Sequence, residues 1–147
     1  VQHQDWRFIL LGEGSLRPRY QKEYPEFLFK GFVDPEPYYF KASITIVPSI
    51  WPENLPYVIA ESINYGIPVL ASRKGGIPEM VVHGKTGVLY GNQNEMKEGL
   101  SRLINDRDYL KKLHRGALRQ KQDLDFNSTV QRYIELFQSK LQTPMSK

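Results

Sequence analysis

Two glutamates separated by seven residues are the side chains in this sequence best suited to bind a hydroxylated ligand. Glu53 follows Trp51 and Pro52, and Glu61 lies within the next predicted helix. Carboxylates accept hydrogen bonds from paired hydroxyl groups, such as those of a ribose or a hexose. The spacing alone is weak evidence, because glutamates are common on helix surfaces and short motifs recur by chance.

The predicted helix that contains Glu61 offers a second kind of contact. We expect Asn54 to cap its N-terminus, Pro56 to lie in its first turn, and Gly66 to end it just after Tyr65. Free backbone N–H groups at such an N-terminus suit a diphosphate. At a rise of about 1.5 Å per residue, the two carboxylates would lie roughly 11 Å apart and flank this anion. A nucleotide-sugar has this combination of groups.

Short apolar runs alternate with helical stretches along the chain. The runs at 8–11, 27–33, 44–47, 69–71 and 87–90 predict buried strands. Apolar residues at helical spacing predict helices at 54–65, through Met96 to Ile104, and through Val130 to Leu141. This alternation indicates an α/β fold, a Rossmann-like parallel sheet with helices on both faces.

Composition excludes several classes of function. The 147 residues, 40% of them hydrophobic, suit one soluble domain, and the absence of cysteine excludes disulfides and thiolate metal sites. No apolar run approaches the length of a membrane span, and no signal peptide is visible. The net charge of +4 suits an anionic ligand. Nucleic-acid binding is not expected, because the basic residues do not cluster with aromatic ones. We expect a cytoplasmic location and leave peripheral attachment to the inner membrane face open.

The segment from Pro48 to Gly87 carries a series of short motifs in a fixed order. They are Glu53 and Glu61, then Gly66-Ile67-Pro68-Val69, then Gly75-Gly76-Ile77-Pro78-Glu79, then Gly84-Lys85-Thr86-Gly87. Upstream stand Leu11-Gly12-Glu13-Gly14 and Phe29-Lys30-Gly31-Phe32-Val33. The series resembles the C-terminal donor-binding domain of glycosyltransferase family 4, whose members have the GT-B fold. The resemblance covers nearly the whole chain. It implies a partial nucleotide-sugar-binding domain at 1–141. The tail at 142–147 is polar, and we expect it to be frayed.

The resemblance assigns roles around the transferred sugar. Glu53 would be the catalytic residue and would bind that sugar, together with the backbone N–H groups of Asn54 and Leu55. Glu61 would bind the ribose hydroxyls. One departure from the family pattern is local, since Leu55-Pro56 replaces a Phe-Gly pair common in the family.

The resemblance also assigns roles around the nucleotide. Backbone near Lys30 and Gly31 would contact the base, and Gly12, Glu13 and Gly14 would line the diphosphate side. The implied reaction is hexosyl transfer from a UDP-, GDP- or ADP-sugar with retained anomeric configuration, without metal or cofactor. A sugar or lipid-linked acceptor would bind through a separate N-terminal domain.

No strand–helix unit precedes the first predicted strand, although a doubly wound nucleotide-binding half places its first strand at the centre of the sheet. The Arg and Lys that the family places against the diphosphate near that unit have no equivalent in this chain. Two sheet edges would then stand open. We expect a longer natural chain to supply the missing strand or the fragment to self-associate, with little or no turnover by the fragment alone.

Two other functions fit the same pattern. One is a GT-B enzyme with different chemistry, such as an epimerase or a phosphorylase-like protein. The other is a non-catalytic nucleotide-sugar-binding or assembly module.

Several other residues have simpler expected roles. Arg73, Lys74 and His83 are expected on exposed turns, and Trp51 either lines the sugar site or packs against the fold. Tyr38, Tyr39 and Phe40 are expected to pack in the core.

Overall fold

The computed structural model describes residues 6–123 and 126–141. The chain forms two compact units, Val1–Ala42 and Ser43–Lys147. The predicted tail at 142–147 lies outside the described residues.

The first unit is a small parallel α/β unit. In chain order it contains β1 (Ile9–Leu11), α1 (Arg17–Glu23), β2 (Leu28–Gly31) and α2 (Glu36–Tyr39). β1 pairs in parallel with β2, and the register shifts between Leu10 and Leu11. The ring of Phe27 stacks on those of Phe8 and Tyr24, at centroid distances of 4.9 and 5.2 Å.

The second unit contains a parallel sheet of three strands in the order β3-β4-β5. Its elements are β3 (Thr45–Val47), α3 (Tyr57–Asn64), β4 (Val69–Ser72), α4 (Ile77–Met80), β5 (Gly87–Tyr90), α5 (Gln93–Asn105), α6 (Arg107–Asp123) and α7 (Phe126–Leu141). All residues of β4 and β5 are buried. Runs of apolar residues form these strands because helices cover them.

The core of the second unit lies between its sheet and its helices. The buried apolar residues of one cluster come from β3, β4, β5, α3 and α4, with one from the turn after α4: Val47, Ile59, Ile63, Val69, Ala71, Ile77, Val81 and Leu89. α5 packs on β4 and β5, while α6 packs on α3 and α5. The predicted α/β class, with a parallel sheet and packed helices, is therefore confirmed.

The predicted start of α3 was wrong. The helix begins at Tyr57, and Pro56 is its N-cap, with φ −65° and ψ 111° and no side-chain cap. Proline disfavours helical geometry in the residue before it, so Asn54 and Leu55 stay in the loop. The predicted end is confirmed, because Tyr65 is the C-cap and Gly66 adopts a φ of +71°.

Other details also differ from expectation. β2 ends at Gly31, whose φ of +77° turns the chain, so Phe32 and Val33 lie outside the strand. The pattern did not separate α6 as a helix of its own.

The expected core packing is found for Tyr39, whereas Phe40 is exposed at 73%.

Within residues 6–123 and 126–141, no helix combines the length and apolar character needed to cross a membrane.

Candidate functional site

The site is built on the loop that links β3 to α3, which we name the Glu53 loop (residues 48–56). The Glu53 side chain is half-buried. The indole Nε1–H of Trp51 donates a hydrogen bond to its Oε1 at 2.8 Å, and the Ser49 hydroxyl donates to the same oxygen at 3.3 Å. The Ser72 hydroxyl donates to the Ser49 carbonyl at 2.8 Å and so ties the loop to the end of β4. Glu53 is therefore held in place from within the second unit.

A second loop, the two-glycine turn (residues 73–76) after β4, lies directly against the Glu53 loop. The Gly76 N–H donates to the Glu53 carbonyl at 2.7 Å. A Cβ on Gly75 would come within 2.2 Å of the Glu53 carbonyl oxygen, and one on Gly76 within 2.1 Å of the Asn54 carbonyl oxygen. These approaches exclude any side chain, which gives the paired glycines of the motif a physical reason. Both loops lie at the carboxyl ends of parallel strands, where ligands bind in open α/β sheets.

The expected role of a helix N-terminus changes with the corrected start of α3. Asn54 and Leu55 are exposed and precede the helix. Their N–H groups are therefore loop donors and do not belong to the first helical turn. The residue at the N-cap itself is Pro56, which has no N–H to offer.

Glu61 lies in the middle of α3 and is exposed. The neighbouring Ser62 is buried, and its hydroxyl donates to Thr45 Oγ1 at 2.6 Å, which fixes the inner face of the helix on β3. The expected separation of the two carboxylates does not apply, because residues 53–56 precede the helix and do not follow its rise.

The first unit brings three of its predicted site residues together. The Gly12 N–H donates to the Gly31 carbonyl at 2.6 Å. A Cβ on Gly31 would lie 2.6 Å from Glu13 Oε1 and 2.9 Å from Arg17 Nη1. Arg17 forms an ion pair with Glu13, and its Nη2 donates to the Phe29 carbonyl at 3.4 Å. Gly31 thus leaves room for the ion pair.

The two other predicted site residues of the first unit, Gly14 and Lys30, are exposed.

Two residues of these clusters, Arg17 and Ser49, were missed as site residues by sequence reasoning. For Trp51 the sequence left two roles open, lining the sugar site or packing against the fold. The spacing of Glu13 and Arg17, four residues apart, was an available signal. Trp51 is 61% exposed and bonded to Glu53, so it does not pack in the core.

The turn residues near the site follow expectation in part. Arg73, Lys74 and His83 are exposed. His83 nevertheless has a structural contact, since its Nδ1 accepts the N–H of Leu89 at 3.0 Å. Leu89 lies in β5, an edge strand of the sheet, and this bond satisfies a donor on a buried residue.

Two tyrosines have displaced pKa values, and neither lies in the Glu53 loop. The hydrogen bond that the Tyr24 hydroxyl donates to Glu23 raises the pKa of Tyr24. Burial raises the pKa of Tyr90 at the end of β5. In the part of the chain that the structure describes, no three His, Asp or Glu side chains are grouped so that they could hold a metal ion.

The fold is a Rossmann-like α/β fold of the kind that forms one half of a GT-B glycosyltransferase. The chain belongs to the family described as glycosyl transferases group 1, whose sequence profile matches residues 1–106.

Particular relatives share this region. A D-inositol 3-phosphate glycosyltransferase of Thermobispora bispora is 33% identical over 107 residues, which are 71% of this chain and 25% of that protein. The uncharacterized glycosyltransferase MJ1178 of Methanocaldococcus jannaschii is 32% identical over 119 residues, 74% of this chain and 34% of that protein. The chain thus spans only a quarter to a third of these two relatives.

Solved structures show the same fold. The crystal structure of HepE from Anabaena in complex with UDP matches with a TM-score of 0.77 and 26% identity, covering 90% of this chain and 41% of that one. Sucrose-phosphate synthase from Thermosynechococcus elongatus matches with a TM-score of 0.76 and 23% identity, covering 90% and 38%.

Proposed function

We propose that this chain is the greater part of the donor-binding domain of a retaining family 4 glycosyltransferase that uses a nucleotide-diphosphate sugar. The observation that carries the proposal is the anchored carboxylate of Glu53. It is held at the carboxyl end of β3 by two side-chain donors and backed by the two-glycine turn. A fixed acceptor at the mouth of a parallel sheet suits a hydroxyl of a bound sugar.

The proposed roles in the second unit are those that the resemblance implies, and Asn54, Leu55 and Glu61 are exposed to a ligand. Glu53 contacts the transferred hexose, with loop N–H groups of Asn54 and Leu55 beside it. Glu61, exposed on α3, accepts hydrogen bonds from the ribose hydroxyls. In the first unit, Lys30 and Gly31 contact the base, while Gly12, Glu13 and Gly14 contact the diphosphate.

Positioning would be the main contribution of these residues to catalysis. In the transfer, the bond between the anomeric carbon and the diphosphate oxygen breaks, and a bond to the acceptor oxygen forms. Holding the donor in one orientation and stabilising the departing diphosphate lower the barrier of this step. The acceptor, a sugar or lipid-linked hydroxyl, would bind to another domain of the complete enzyme, which we expect to work in the cytoplasm.

The first test is ligand-observed NMR of the folded chain with UDP, GDP, ADP and their common sugar conjugates. UDP conjugates come first because a solved relative, HepE, holds UDP and UDP-glucose. We expect selective binding that Glu61→Ala weakens by about 10-fold, since the ribose loses a charged acceptor. Glu98→Ala, an exposed glutamate on α5, is the matched control and should leave binding unchanged. A folded chain that binds none of these ligands would contradict the proposal.

Activity assays distinguish a glycosyltransferase from the phosphorylase-like alternative. We expect little or no hexosyl transfer by the 147-residue chain, because it spans only a quarter to a third of the two glycosyltransferase relatives that it matches. Measurable transfer would contradict that expectation. Phosphate-dependent release of a sugar phosphate by the complete enzyme would favour the phosphorylase-like alternative.

A further inference from the structure

The two oxygens of the Glu53 carboxylate differ in their hydrogen bonding. Both hydrogen bonds from Trp51 and Ser49 reach Oε1. Among the described residues, Oε2 receives no hydrogen bond. A carboxylate oxygen has two lone-pair sites, so two donors satisfy Oε1 and leave the accepting capacity of the group on Oε2.

The two donors differ in how firmly they are placed. Ser49 is half-buried, and its carbonyl is fixed by the Ser72 hydroxyl on β4. Trp51 is 61% exposed, and its Nε1–H makes the shorter of the two bonds. The backbone of Glu53 is fixed independently by the Gly76 N–H. The backbone of Glu53 thus has an anchor of its own, and the bonds from Trp51 and Ser49 fix the direction of its carboxylate.

We propose that Trp51 and Ser49 are positioning residues that turn Glu53 so that Oε2 alone receives a hydroxyl of the transferred sugar. This inference rests on the proposed function of Glu53. Glu53 then accepts a hydrogen bond from one sugar hydroxyl through Oε2. It does not bind two hydroxyls through both carboxylate oxygens. Trp51 and Ser49 then set the selectivity for the sugar part of the donor and leave the nucleotide part untouched.

The binding test compares UDP with UDP-glucose on the folded chain and on Trp51→Phe, which keeps an aromatic ring and removes the N–H donor. We expect Trp51→Phe to weaken UDP-glucose by about 3- to 10-fold, with UDP unchanged. This is less than direct loss of a hydrogen bond to a charged group would cost, because Glu53 keeps its carboxylate and loses only its fixed direction. Ser49→Ala should act in the same direction and more weakly, because its bond is longer. Trp6→Phe is the matched control and should change neither ligand.

A double-mutant cycle shows whether Trp51 acts through Glu53. In a Glu53→Ala background, Trp51→Phe should cause no further loss of UDP-glucose affinity, because coupled residues are not additive. Equal losses of UDP and UDP-glucose in Trp51→Phe, or additive losses in the cycle, would overturn the inference and leave the proposed function standing.

A measurement without ligand distinguishes failure of this inference from failure of the proposed function. The indole N–H resonance of Trp51 should move in Glu53→Ala, while that of Trp6 stays in place as an internal reference. An unmoved Trp51 resonance would overturn the inference whatever the ligand data. If the Trp51 resonance moves in Glu53→Ala but the wild-type chain binds no sugar nucleotide, the proposed function and the sugar-directed role are both overturned.

Discussion

At the scale of single residues, close backbone approach explains the double glycine better than turn geometry does. Gly75 has a φ of +53°, whereas Gly76 has ordinary helical geometry at the N-cap of α4. Gly76 is required only because the Asn54 carbonyl lies where its Cβ would be. The requirement comes from a residue more than twenty positions earlier in the chain.

Replacement of Gly76 tests this contact. We expect Gly76→Ala to lower the free energy of unfolding by about 1–3 kcal/mol, because the Glu53 loop must shift to admit the methyl group. Urea denaturation followed by circular dichroism measures the change. Gly91→Ala is the control in the same unit, since its Cβ would meet Glu95 Oε2 at an ordinary 3.5 Å. Equal stability of the two variants would contradict the expected close approach.

At the scale of elements, the sequence predicts the end of α3 at Gly66 correctly but misplaces its start near Pro56. Gly66 ends α3 as its sequence context predicts, because a positive φ is a local property of the residue. The start of α3 is displaced to Tyr57 because Pro56 acts on the residue before it. An asparagine three residues ahead of the helix does not cap it, however favourable its intrinsic preference.

Helix α6 shows how packing overrides helix propensity. Gly116 lies within it, and a Cβ there would meet the Lys85 carbonyl oxygen at 1.9 Å. Alanine gains about 1 kcal/mol of intrinsic helix stability over glycine. We expect Gly116→Ala to destabilise the chain nonetheless, by about 1–3 kcal/mol, because the turn before β5 is displaced.

Thermal denaturation of Gly116→Ala beside Ser101→Ala measures this balance. Ser101 is exposed on α5, so its replacement should have little effect or slightly stabilise the chain. A melting temperature for Gly116→Ala at or above that of the wild type would show that α6 is free to move away from Lys85.

At the scale of the whole molecule, the strands form two separate parallel sheets, one of two strands and one of three. Within the described residues, β3 pairs with β4 on one side and has no strand on the other. Open parallel edges are templates for pairing with another chain.

We expect the isolated chain to self-associate through such edges. Light scattering coupled to size-exclusion chromatography should show a mass that rises above that of the monomer with increasing concentration. The same measurement at high salt is a control, because backbone pairing persists while association driven by surface charge is screened. A monomer at every concentration would contradict this expectation.

The sequence by itself determined the parallel α/β class, the strands at 69–72 and 87–90 in all but one residue, and the family motifs. These follow from local properties: apolar runs that need burial on both faces, and a glycine that must end a helix. Only the tertiary structure decided what holds Glu53, why two glycines follow β4, and why Arg17 lies beside Gly31. Each of those depends on contacts between residues far apart in the chain, which composition and periodicity do not encode.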